Sequence, residues 1–143
     1  MVVAAGAASL LVGLIGLGGQ AISVANWPLA QKLGLQESTE DTEPLFRRLE
    51  RNTALWDLVS WWTLPAAGAL MLVGNAWWPL LAVFAGGIYF DTAGREIAKL
   101  GALEREGVRT GTQKDRRVRL CFFVVTAVVG MWVAALGAYQ MLQ

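Results

Sequence analysis

Four long apolar runs alternate with two charged stretches along the chain. Residues 2–25 (VVAAGAASLLVGLIGLGGQAISVA) carry no charge, and at about 1.5 Å per residue such a run reaches across the roughly 30 Å hydrocarbon core of a bilayer. Residues 53–74 and 77–98 form two further runs separated only by Asn75 and Ala76, and residues 120–142 supply the fourth. Runs of about twenty residues, without the ten-residue alternation of barrel strands, predict helices. The two-residue separation predicts an antiparallel hairpin. The expected fold is all-α: residues 1–143 as one domain, a polytopic four-transmembrane-helix bundle with loops over 26–52 and 99–119.

Residues at the ends of the runs fit this layout. Trp27-Pro28 closes the first run, tryptophan favouring the headgroup level and proline discouraging continuation of the helix. Trp77 and Trp78 mark the opposite interface, with Pro79 near the first turn of the third helix, where a missing amide costs little. Ser23-Val24-Ala25 is a passable cleavage triplet, but Met1-Val2-Val3 lacks the basic start of a signal peptide, so the first run is expected to be retained. Ser38, Thr39 or Thr42 can cap a helix beginning near Pro44, which extends the second helix into the loop. Within that helix Pro65 removes an amide donor, which should free the carbonyl of Trp61 and kink the helix.

The charges sort by side. Of the twelve Lys and Arg residues, Lys32, Arg47, Arg48 and Arg51 lie in the first loop, and Arg95, Lys99, Arg105, Arg109, Lys114, Arg116, Arg117 and Arg119 lie in or beside the second. The positive-inside rule then places both loops in the cytoplasm and both termini outside, as expected for a multi-pass protein of a bacterial inner membrane. A composition of 55% hydrophobic and 16% charged residues agrees. The absence of histidine excludes imidazole-based metal, haem and acid–base chemistry, and Cys121 alone cannot make an intrachain disulfide, a CxxC pair or an iron–sulfur cluster. No glycine-rich phosphate motif is present, since Gly101, Gly107 and Gly111 match none.

Small residues recur four apart at Ala5, Ser9 and Gly13 and again at Gly130, Ala134 and Ala138, giving grooves for close helix approach. Asp57 and Asp91 are the acids inside the apolar runs, and ionisable groups at membrane depth mark candidate functional sites. Counted from the hairpin turn, Asp57, Asp91 and Arg95 sit at roughly 25, 21 and 27 Å. They are expected to form one acid–arginine–acid network across helices two and three, with Arg51, Asn52, Tyr89 and Glu96 in reach and Trp61 among its aromatic walls. On that expectation Arg95→Ala destabilises more than Lys99→Ala.

The segment from Leu81-Ala82-Val83-Phe84 to Ala93-Gly94-Arg95, with Trp27-Pro28 and Leu33-Gly34-Leu35, resembles small four-helix bacterial membrane proteins of the DoxX-like kind. That resemblance implies a four-helix bundle and no known reaction. Phe46-Arg47-Arg48 followed by Arg51-Asn52 is similar to the start of helix two in the membrane-associated eicosanoid and glutathione metabolism proteins, whose layout is also similar. This second resemblance implies trimers with a cytoplasm-facing site between subunits and glutathione held by Arg51 and Asn52. That pattern has a glutamate three residues after the asparagine; here Leu55 stands there and the acid is Asp57.

These residues lead to a non-enzymatic expectation: an accessory subunit, or a binder of a lipid-like ligand through Asp57, Asp91, Arg95, Arg51, Asn52, Trp61 and Tyr89 at the cytoplasmic leaflet. No cofactor, metal or catalytic residue is assigned. The alternative is a glutathione-dependent membrane transferase or isomerase of lipophilic substrates, with Arg51 and Arg95 holding carboxylates and stabilising a thiolate. A third is a small proton-coupled transporter using Asp57 and Asp91. Expected partners are the lipid bilayer, a lipid-like small molecule, and further copies or a larger membrane complex, but no nucleic acid.

Overall fold

A computed structural model describes every residue, Met1–Gln143. It is all-helical: α1 (Val2–Ala25), α2 (Trp27–Lys32), α3 (Pro44–Ser60), α4 (Thr63–Leu72), α5 (Trp78–Arg105) and α6 (Gln113–Met141). The only extended pairing is an isolated antiparallel bridge between Thr42 and Thr110. The expected second helix is two helices, α3 and α4, the first starting at Pro44. The third and fourth expected helices extend into the second loop, so the segment between α5 and α6 is short.

Local chemistry explains these limits. At the end of α4, Gly74 takes φ 65° while Asn75 N–H donates to Leu70 O at 3.0 Å, the Schellman closure that glycine permits. Asn75 Oδ1 then accepts from Trp77 N–H at 3.0 Å, and α5 begins with Pro79 in its first turn. At the other end of the molecule, Thr112 and Asp115 form a capping box on α6.

The break between α3 and α4 centres on Pro65. Its missing amide leaves Trp61 O without an intrahelical partner, as the sequence predicts, and the hydroxyl of Tyr89 on α5 donates to that carbonyl at 2.7 Å. Thr63 Oγ1 donates to Ser60 O at 2.7 Å in the same turn. The break turns Trp61 fully inward, its ring centroid 4.9 Å from that of Tyr89 and 6.2 Å from that of Phe122.

Helix contacts close a ring in which α1 packs on α3 and α4, α4 on α5, α5 on α6, and α6 on α1. The interfaces are built from small residues. A methyl group on Gly68 would stand 2.6 Å from Gly6 O and 2.7 Å from Leu10 N, one on Gly16 would stand 2.6 Å from the Trp61 ring, and Gly13 lies against Pro65 in the same way. Between α5 and α6, Gly86 and Gly130 face each other's carbonyls, and a methyl on Gly137 would lie 2.5 Å from Pro79 O. The two small-residue stripes therefore both serve intramolecular interfaces, α1 against α4 and α6 against α5, rather than meeting each other.

Large apolar side chains point outward instead. Leu11, Leu14 and Ile15 on α1 and Val124, Val125, Val128 and Met131 on α6 are exposed. By length and composition α1 and α6 are each apolar enough to cross a membrane, and only 28% of either apolar window is buried, unlike the core helix of a soluble fold.

The tyrosine hydroxyl yields a direct test. Tyr89→Phe leaves the Trp61 carbonyl buried without a donor and is expected to cost about 1–3 kcal/mol, read by reversible unfolding in detergent. In a Pro65→Ala background, which restores an amide at that position, the cost of Tyr89→Phe should shrink; an unchanged cost would show that the hydroxyl acts elsewhere.

Candidate functional site

The seven residues singled out from the sequence divide into two groups. Asp57, Trp61 and Tyr89 are buried in the interior between α1, α3 and α5, whereas Arg51, Asn52, Asp91 and Arg95 are exposed. Arg95 pairs with Asp91 on its own helix, Nε to Oδ2 at 2.7 Å, and both side chains are more than half exposed. Arg95 makes no ion pair with Asp57, so the expected acid–arginine–acid network across the hairpin does not form. Counting residues at a fixed rise gives depth but not azimuth, and Asp91 and Arg95 lie on the outward side of α5.

The inward side of α5 at this level is Tyr89, Thr92, Ala93, Glu96 and Leu100. The stride Tyr89, Ala93, Glu96, Leu100 is a helical face and was the available signal that Glu96 turns inward. Glu96 and Glu50 of α3 both bind Lys99, at 2.5 and 2.8 Å, and Lys99 also donates to Thr53 Oγ1 at 3.3 Å. This glutamate–lysine–glutamate bridge is the ionic tie between α3 and α5. Its side chains are 5–19% exposed, so desolvation strengthens the pairing once formed.

Asp57 turns toward α1 instead. Gln20, the most polar residue of that helix, donates its Nε2 amide to Asp57 Oδ2 at 2.8 Å. Oδ1 of Asp57 is buried without a hydrogen-bond partner, and so is the indole Nε1 of Trp61 one helical turn further on. Trp61, Tyr89 and Phe122 add aromatic surface around this turn. The result is a buried carboxylate with one satisfied and one open oxygen, held by a neutral amide.

A second polar assembly joins the two loops. Glu43 N–H donates to Arg109 O at 2.9 Å, beside the Thr42–Thr110 bridge. Arg109 Nε meets Glu43 Oε1 at 3.1 Å, and its Nη1 donates to Glu40 O at 3.1 Å. Deeper in, Arg119 Nη2 binds both Glu37 Oε1 and Thr110 O at 2.7 Å, and its guanidinium lies 5.0 Å from the Phe46 ring centroid. Burial raises the pKa of Glu37 above its ordinary 4.5, with the Arg119 charge opposing the shift. The acidic patch of the first loop is thus a docking partner for basic residues of the second.

The two ionic arrangements predict different mutational costs. Lys99→Ala leaves Glu50 and Glu96 without their shared cation and is expected to cost about 3 kcal/mol or more. Arg95→Ala breaks an exposed i,i+4 pair and should cost under about 1 kcal/mol. Denaturant unfolding of both variants in detergent checks the order, which reverses the expectation drawn from depth alone; a larger loss for Arg95→Ala would place the important charge there. Comparison of the chain with family models, curated proteins and solved structures finds no match.

Proposed function

We propose that this chain is a small four-span protein of a bacterial inner membrane that binds the polar head of a lipid-like ligand at the Asp57 turn, without catalysing a reaction. Its spans are α1, α3 with α4, α5 and α6, both loops lie in the cytoplasm, and both termini lie outside. The membrane reading is supported by the length and apolarity of α1 and α6, by the outward-facing large apolar residues, and by the confinement of every basic residue to the two loops and the loop-side parts of the helices.

The observation that carries the ligand reading is a pair of buried polar atoms without partners four residues apart in the chain, Oδ1 of Asp57 and the indole N–H of Trp61. Buried polar atoms without partners cost about 1–3 kcal/mol each, so a native interior retains them where something else supplies the missing bond. Asp57 Oδ1 can accept from a hydroxyl or an amine, and Trp61 Nε1 can donate to an acceptor. The aromatic walls favour an apolar body behind that head.

Native mass spectrometry of the full chain in mild detergent tests this. The wild type is expected to retain a small molecule that is lost in Asp57→Leu, a variant that removes the open acceptor and keeps a similar volume. A wild type carrying only detergent and bulk phospholipid, or an Asp57→Leu protein that retains the same mass, overturns the ligand reading. Orientation is tested separately by placing Thr112→Cys in a Cys121→Ser background. Labelling is expected only from the cytoplasmic side, and reaction with an impermeant reagent outside intact cells contradicts it.

A further inference from the structure

The outward side of α3 carries a second arrangement, distinct from the buried Asp57 turn. Arg48 and Arg51 are exposed and make no ion pair or side-chain hydrogen bond, in contrast to Arg95, Lys99, Arg109, Arg116 and Arg119, each of which has an acidic partner. Residues three and four apart share a helix face. From Arg48 and Arg51 that face runs onto Leu55, Trp56 and Val59, which are 50%, 62% and 64% exposed. From Arg51 to Val59 the helix rises about 12 Å. Two uncompensated guanidinium groups therefore sit at the loop end of an exposed apolar stripe that contains Trp56.

We propose that this face of α3 binds one anionic phospholipid of the cytoplasmic leaflet, its phosphate on Arg48 and Arg51 and an acyl chain along Leu55, Trp56 and Val59. Charge complementarity selects the occupant. Guanidinium forks match phosphate oxygens, the exposed tryptophan Trp56 suits the level where headgroup meets hydrocarbon, and the exposed apolar stripe suits a chain rather than a soluble anion. Lys114 and Arg117 on α6 provide a comparison within the same molecule: they are also three residues apart, exposed and unpaired, but Asp115 lies between them and no tryptophan follows within two turns. General attraction to an anionic surface would use both pairs alike.

The inference rests on the membrane reading but not on the Asp57 ligand. The test reconstitutes the full chain in neutral lipid nanodiscs and titrates phosphatidylglycerol or phosphatidylcholine of matched chains, with bound lipid counted by native mass spectrometry. The wild type is expected to prefer phosphatidylglycerol about tenfold, Arg48→Gln/Arg51→Gln to lose most of that preference, and Lys114→Gln/Arg117→Gln to keep it. Equal affinity of the wild type for the two lipids, or equal losses in the two double variants, overturns the proposal. A chain that remains in solution and inserts into no nanodisc overturns the membrane reading itself and this proposal with it.

Discussion

The carbonyl of Trp61 is the point on which the interior depends. Pro65 deprives it of its helical donor, and a buried carbonyl left open costs more than most single contacts contribute. Tyr89 answers from another helix, which ties the break between α3 and α4 to α5. The same break swings Trp61 into the centre of the larger core cluster, with Leu64 and Ala67 following on α4 and Val129 and Val133 closing from α6. Gly13 and Gly16 then have to be glycines, because α1 lies directly against Pro65 and the Trp61 ring.

The arrangement of small residues inside and large apolar residues outside is the one that an apolar exterior favours. When the exterior is as apolar as the side chains, burying leucine has little to recommend it, and close backbone approach with dispersion contacts becomes the main source of cohesion. Gly6 with Gly68 and Gly86 with Gly130 are such approaches. This is the physical sense in which the fold fits the proposed four-span membrane protein: most of its buried residues are Ala, Gly, Ser and Thr, packed around Phe46, Trp61, Trp78, Tyr89 and Phe123.

Charge is divided between holding the fold and facing outward. Glu50, Lys99 and Glu96 lock α3 to α5, and Glu37 with Arg119 locks the first loop to the start of α6. Of the basic residues in and beside the second loop, Arg109, Arg116 and Arg119 are paired with acids of the same chain. The cations left over, Arg48 and Arg51 among them, are the ones free to meet an external anion. Asp57 belongs to neither group, since its partner is the neutral amide of Gln20.

Much of this was legible in the chain alone, because helix length, end residues and proline chemistry are local. The apolar runs, the start at Pro44, the turn at Gly74 and Asn75, and the freed carbonyl of Trp61 all follow from residues close together in sequence. What only the tertiary structure decided was azimuth and partner. Rise per residue set the depths of Asp57, Asp91 and Arg95 nearly level, but the rotation of each helix about its axis turned Asp57 to Gln20, turned Asp91 and Arg95 outward, and brought Lys99 between two glutamates. Those rotations are set by where Gly13, Gly68, Gly86 and Gly130 let backbones touch, and contacts between residues distant in sequence are written in no single segment of it.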